Sequence, residues 1–289
     1  MFSVTGVNGR VGSVVARFLL ANGCDVRAVI RENSDNAATL TGQGYEVALA
    51  DMYDTQALVR AFRGTEGVFV MLPPNYDPSP DFAETHEIIS SIYAAIVAAQ
   101  PRKVVCLSTI GAHVSQPSLL MQLRYLEKAL SRLPMPVAFV RAAWFMDNAV
   151  WDVAQARETG EIPSFLQPVD RVIPMVATAD VGRVIAETLL EEWDGRRIIE
   201  LEGDKRTSPN DVAATFDRLL GREVKPKVVP RDRWEELFRA LGMNNPGPRM
   251  QMLEGFNEGW VTFEGRRTEA RIGRVPLEIV LRELIRNAC

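Results

Sequence analysis

Histidine, cysteine and long apolar runs are scarce in this chain, and each scarcity removes a class of function. Only His86 and His113 are present, so a histidine-rich catalytic metal cage cannot be assembled and no metal is expected. The three cysteines, Cys24, Cys106 and Cys289, are scattered, odd in number and without a CxxC spacing, which argues against a disulfide framework or a structural zinc. No stretch approaches the roughly 18 uninterrupted apolar residues of a membrane span. The first residues enter a strand-like segment instead of a charged and then apolar leader, so a cytoplasmic location without a membrane partner is expected. With 33 basic against 37 acidic side chains the net charge is -4, and no basic stripe is interleaved with aromatics. Nucleic acid is therefore not an expected partner. Composition assigns no oligomeric state.

What is present suits a compact α/β chain: 289 residues, 47% of them hydrophobic, enough for a large domain plus a lobe. Short apolar runs alternate with helical patterns. Phe2 to Val4 leads into a glycine turn, after which Val11, Val14, Val15, Phe18 and Leu19 form the stripe of a helix packed on a sheet. Further strands are expected at about Asp25 to Ile30, Glu46 to Leu49, Val68 to Leu72, Lys103 to Leu107 and Val137 to Val140, with helices between them. This order predicts a Rossmann-type, doubly wound parallel sheet. From Arg141 onward aromatics and prolines become frequent and the elements shorter. The spacing predicts helices opening at Ser208-Pro209, Pro230 and Pro276. Residues 1–141 are read as a dinucleotide-binding domain and 142–289 as a smaller substrate lobe, with 172–203 returning to the sheet.

Between the first strand and first helix stands Thr5-Gly6-Val7-Asn8-Gly9-Arg10-Val11-Gly12. A tight turn needs Gly6, close approach of a pyrophosphate needs Gly9, and helix-to-strand packing needs Gly12. Free N–H groups and the positive end of the helix dipole would hold the phosphates, making Thr5, Gly6, Asn8, Gly9, Arg10, Val11 and Gly12 the expected cradle. The alternative is a structural glycine turn without a ligand. At the end of the second strand, where an NAD-selective site places Asp or Glu for the ribose 2′-OH, this chain has Arg31 followed by Glu32. A planar, permanently charged guanidinium suits a 2′-phosphate, and Arg10 could clasp the same group, so NADP(H) is the expected cofactor. Pairing of Arg31 with Glu32 is the competing reading.

Taken together, TGVNGRVG, Arg31, Ala50-Asp51-Met52, the LSTIGA stretch at Leu107 to Ala112 and Arg141-Ala142-Ala143-Trp144-Phe145-Met146-Asp147-Asn148 resemble the NmrA-like, atypical short-chain dehydrogenase/reductase family. Thr178-Ala179-Asp180-Val181 is similar to that family's helix start after the substrate-lobe turn. The resemblance implies a Rossmann fold binding NADP(H), with Asp51 and Met52 near the adenine, Leu72 and Pro73 beside the ribose and nicotinamide, and Thr109 near the nicotinamide ring.

The chain departs from many short-chain dehydrogenases, which use Tyr and Lys four residues apart on one helix for proton donation. Four residues after its five tyrosines stand Leu49, Ala57, Pro80, Val97 and Ala129, so no YxxxK exists. Tyr125 and Lys128 come close at a spacing of three, but alignment of the helix puts Leu119 and Leu123 at the catalytic positions. His113, four residues beyond Thr109, is the remaining proton carrier near the fifth strand. No catalytic acid is assigned. Hydride chemistry does not require one when the acceptor is a quinone, an iminium or a conjugated carbonyl. Tyr76, His113, Trp144, Phe145 and Asn148 are the expected substrate-lining residues, with Trp151, Trp260 and Phe263 as further aromatic candidates; core packing is the competing reading for each aromatic. The expectation is an NADPH-dependent reductase of a small activated hydride acceptor. Its rival is a non-catalytic NADP(H)-binding redox sensor acting through a protein partner.

Overall fold

A computed structural model describes residues 1–32 and 34–288; Cys289 lies outside the described residues. Twelve strands and eleven α-helices alternate along them. The first half runs β1 (Phe2–Thr5), α1 (Arg10–Ala21), β2 (Val26–Ile30), α2 (Ala37–Gly42), β3 (Glu46–Leu49), α3 (Thr55–Phe62), β4 (Gly67–Val70), α4 (Ala83–Ala99), β5 (Lys103–Thr109), α5 (Met121–Leu130) and β6 (Val137–Ala142). The second half runs β7 (Trp144–Phe145), a 3₁₀ turn (Met146–Asp152), α6 (Val153–Glu158), β8 (Glu161–Ser164), β9 (Met175–Val176), α7 (Thr178–Leu190), β10 (Arg196–Glu202), α8 (Pro209–Leu220), β11 (Lys225–Val228), α9 (Trp234–Ala240), α10 (Gly247–Glu258), β12 (Glu269–Ile272) and α11 (Leu277–Asn287).

Eight strands form one parallel sheet in the order β12-β10-β6-β5-β4-β1-β2-β3. The chain winds outward from β1 in one direction to β3 and then restarts at β4 on the other side, so the loops after β1 and β4 diverge and leave a crevice. The sheet is Rossmann-type, as the apolar runs predict. β10 comes from the segment expected to return. β12, from the C-terminal half, was not expected.

Both faces of the sheet are covered. Val11, Val15 and Leu19 of α1 and Val181, Val184, Ile185 and Leu189 of α7 pack on one face. Leu58 and Phe62 of α3, Ile88, Ile92 and Ile96 of α4, and Leu126 and Leu130 of α5 pack on the other. The α1–α7 contact is close because Gly182 faces Val14, where an added Cβ would stand 2.5 Å from the valine Cβ. A third core gathers Met146, Val153, Phe216, Phe256 and Leu281. A fourth holds Trp234, Phe238, Met243, Met250 and Leu253. Ser208 caps α8 as its sequence predicts, through a reciprocal pair with Asp211.

Two carboxylates organise the second half. Asp180, 1% exposed, accepts from the backbone N–H groups of Arg274 and Val275, both at 2.8 Å, and from Arg183 at 2.9 Å. It thereby ties α7 to the turn between β12 and α11. Asp180→Ala would orphan both N–H groups and is expected to cost about 2–4 kcal/mol, measured by denaturant unfolding.

Asp152, at the end of the 3₁₀ turn, lies partly buried, and burial pushes its carboxyl up to about 7. Between the ordinary Asp range and that value the folded protein holds a proton that the unfolded chain has released, so this residue makes stability fall as pH rises through the window. Asp152→Asn removes the ionisation. Its thermal midpoint at pH 8 is expected about 2–4 °C above that of the parent chain, an increment that shrinks toward pH 4 in a midpoint-against-pH series.

Candidate functional site

The residues singled out in the sequence gather beyond the carboxyl ends of the strands. Thr5 ends β1, Arg31 follows β2, Asp51 and Met52 follow β3, Leu72 and Pro73 follow β4, and Thr109 ends β5. This rim is where an open α/β sheet binds ligands.

At its centre the chain turns sharply from β1 into α1. Gly6 has φ +68°, a left-handed conformation that side chains rarely adopt, and its carbonyl accepts the Gly9 N–H at 2.9 Å. A Cβ on Gly12 would stand 2.2 Å from that same carbonyl. Helix and turn can therefore meet only without a side chain at position 12. Gly9 is the N-cap of α1, and no side chain caps this helix end. The N–H groups of Arg10, Val11 and Gly12 are left to face a ligand. Thr5 Oγ1, fully buried beside the turn, has no hydrogen-bond partner among the described residues. A glycine cradle, an open helix start and an orphaned hydroxyl fit a dinucleotide pyrophosphate.

Asn8 links this turn to the loop after β2, donating to Ser34 Oγ at 3.0 Å and accepting from Asn36 at 2.9 Å. Arg31 lies exposed at that loop's start, and no carboxylate among the described residues forms an ion pair with it, Glu32 included. Arg10 turns the other way, donating to the Asp147 carbonyl at 2.7 Å with the Asp147 carboxylate 3.8 Å off. In this conformation it does not join Arg31. Asp147 in turn accepts from Thr178 N at 2.9 Å and Thr178 Oγ1 at 2.6 Å, fixing the start of α7. Asp51 accepts the Tyr53 N–H at 2.9 Å and stays exposed, while Met52 packs toward the α3–α4 core.

The expected substrate residues divide. Tyr76 reaches across the cleft to Trp151 of the 3₁₀ turn, edge to face with ring centres 6.3 Å apart. Trp144 instead stands edge-on to Phe256 at 5.2 Å and packs between the two lobe cores, and Phe145 packs against the α1–α7 core. Asn148 is half-buried in the 3₁₀ turn. His113 is half-buried after β5, and its Nδ1 has no partner among the described residues. Tyr125 meets His86 at a tilt, ring centres 4.6 Å apart, and Phe82 edge to face at 5.8 Å, on the α4 side of α5, while Lys128 is exposed.

Behind the rim sits a buried ionic cluster. Arg141 binds both Glu127 oxygens, at 2.9 and 2.8 Å, and Glu264 at 2.8 Å. Ser108 donates to Glu127 at 2.5 Å, and Glu200 accepts from the N–H groups of Glu264 and Gly265. Burial opposes the Arg141 charge, but the hydrogen bonds and charges of Glu127 and Glu264 outweigh it and raise its pKa. Burial, with Glu127 nearby, pushes the Cys106 thiol well above its ordinary value, so it is no nucleophile.

Sequence reasoning missed Arg249. It rises from the first turn of α10 into the space between Tyr76, at 5.4 Å, and Phe238, at 4.6 Å. No spacing pattern marks it, because its surroundings come from three distant segments. Asp77 shows the same assembly: its carboxylate accepts the N–H groups of Asn244 and Asn245, which hold it below the ordinary Asp range.

The chain is 24% identical over 245 residues to an NAD(P)H azoreductase of Xenophilus azovorans, covering 84% of this chain and 82% of that protein. It is 28% identical over 280 residues to a (4-alkanoyl-5-oxo-2,5-dihydrofuran-3-yl)methyl phosphate reductase of Streptomyces griseus subsp. griseus, covering 96% and 90%. Its fold is similar to that of an NADPH-dependent quinone oxidoreductase of Escherichia coli solved with NADPH, with a TM-score of 0.80 at 21% identity over 98% of this chain and 99% of that one. The sequence profile of the NmrA-like family matches residues 2–264, and with the parallel sheet, the glycine cradle and Arg31 in place, the chain belongs to that family.

Proposed function

We propose that this protein is an NADPH-dependent reductase that passes a hydride to a small activated acceptor such as a quinone, an iminium or a conjugated carbonyl. The observation that carries the reading is the uncapped start of α1 over the glycine cradle, with the Arg31 guanidinium at the end of β2 in no ion pair among the described residues. Residues 5 to 12 hold the pyrophosphate by backbone N–H groups. Arg31 binds the 2′-phosphate, with Arg10 released from Asp147 as a second donor. Asp51 and Met52 border the adenine, and Leu72, Pro73 and Thr109 border the nicotinamide. NADPH, when bound, supplies the hydride, and the chain positions the acceptor and excludes water.

The acceptor class follows from the missing Tyr-Lys pair: no tyrosine is followed four residues later by a lysine, and Tyr125 is engaged with α4. An acceptor that is already electron-poor or cationic takes hydride without a protein acid, and solvent completes any protonation. Tyr76 and Trp151, set edge to face, offer an apolar aromatic corner. Reductases of azo, quinone and unsaturated lactone compounds among the relatives support the same class.

Two outcomes are expected. In a fluorescence titration Arg31→Ala weakens NADPH binding by about 10- to 100-fold, the range for one lost charge-assisted contact, with NADH changed far less. Equal losses for both nucleotides would remove Arg31 from the 2′-phosphate. In a stopped-flow panel, quinones and iminium dyes oxidise bound NADPH over multiple turnovers while unactivated ketones do not. Tight NADPH binding with no turnover on any acceptor would overturn the enzymatic reading in favour of a redox sensor.

A further inference from the structure

Three arginines whose side chains are largely withdrawn from solvent are neutralised by carboxylates. Arg141 meets Glu127 and Glu264, Arg183 meets Asp180 and Glu187, and Arg197 meets Glu191 and Glu269. Arg249, half-buried, differs from these three. Among the described residues no carboxylate lies within ion-pair distance of it, and the one acceptor for its N–H groups is the Met243 sulfur at 3.7 Å, a weak one. Asp77, next in sequence to Tyr76, directs its oxygens to Asn244 and Asn245. Burial accordingly lowers the Arg249 pKa, but a guanidinium does not release its proton in the physiological range. Its remaining donors are open to solvent and free to take an anion.

Its position says which anion. The Tyr76 ring that Arg249 covers is the one that meets Trp151 across the cleft. The residue before it, Pro248, accepts the Leu119 N–H at 2.9 Å, which sets the start of α10 beside the lead-in to α5. Gln122, one turn further along α5, donates to the Asn75 carbonyl at 3.0 Å and holds the Tyr76 loop to the same place. Arg249 therefore shares Tyr76 with the aromatic pair proposed to cover the acceptor.

We infer that Arg249 is an anion-binding residue of the acceptor site, and that the favoured acceptors carry a carboxylate or a phosphate group beside an aromatic or conjugated body. The inference rests on the reductase reading for the word acceptor, but not for the anion site itself. Its planar donors can bind two oxygens of either group at once, while Tyr76 and Trp151 cover the apolar body.

The test is calorimetric, on protein saturated with NADP⁺, using three unreactive probes of one shape: 2-naphthoate, 2-naphthyl phosphate and neutral 2-naphthol. The parent chain is expected to bind at least one anion about tenfold or more tighter than the neutral probe, as one charge-assisted hydrogen bond provides. The tighter of the two anions identifies the group. In Arg249→Met that preference falls to about one, and Arg249→Lys keeps part of it; circular dichroism checks that each variant is folded. No anion preference in the parent chain, or a preference that survives in Arg249→Met, overturns the inference. Anion binding without turnover of any acceptor would sink the reductase reading alone, and turnover without anion preference would sink this inference alone.

Discussion

Close approach permitted by missing side chains is the constraint on which the rest of the site depends. With no Cβ at Gly12, α1 settles onto the Gly6 carbonyl and its first N–H groups point beyond the sheet. With no Cβ at Gly182, α7 closes on α1 at Val14. That contact brings Thr178, at the head of α7, to the Asp147 carboxylate, and Asp147 reaches back to Arg10 beside the glycine turn. Two helix starts and the turn after β7 are thus locked together through two absent methyl groups. The interior tolerates little change at such points, because packing of this density leaves no volume to yield.

The ionic cluster around Arg141 does for the other side of the cleft what the glycines do at the centre. Burying charge is expensive, and the expense is met here by geometry: a two-oxygen pair with Glu127, a third bond to Glu264, and Glu200 held by two backbone N–H groups and the Thr268 hydroxyl. These bonds join β6, α5, β10 and the segment before β12. The ends of β5 and β6, between which Thr109 lies, are consequently held from several directions.

Much of this was legible in the sequence, for reasons that differ by element. Buried parallel strands are apolar on both faces, so β1, β2, β4, β5 and β6 announce themselves as short runs, and the glycine turn reveals the first crossover. β12 gave no such signal: Glu-Ala-Arg-Ile is outermost in the sheet, and its charged residues are held by Arg197 and Glu191 rather than by apolar contact. Aromatic composition was ambiguous in the second half. Tyr76 and Trp151 face each other across the cleft, whereas Trp144 is spent on packing against Phe256, and nothing in their spacing separates the two uses. Arg10 looked like a phosphate ligand because the motif places it there, while its partner Asp147 is 137 residues away in sequence. Arg249 was invisible because what distinguishes it is the lack of a counterion, a property of the folded surroundings.

The strand that escaped notice also closes the sheet in a particular manner. An outermost strand offers unpaired backbone groups to any neighbouring chain, and long flat apolar ones invite strand-to-strand addition. Here both borders are short: β12 and β3 have four residues each. β12 carries Glu269 and Arg271, β3 carries Glu46 in an ion pair with Arg27, and a second chain aligning with either would have to displace these salt links before pairing. Short, charged borders of this kind are poor templates for strand addition to an eight-stranded sheet.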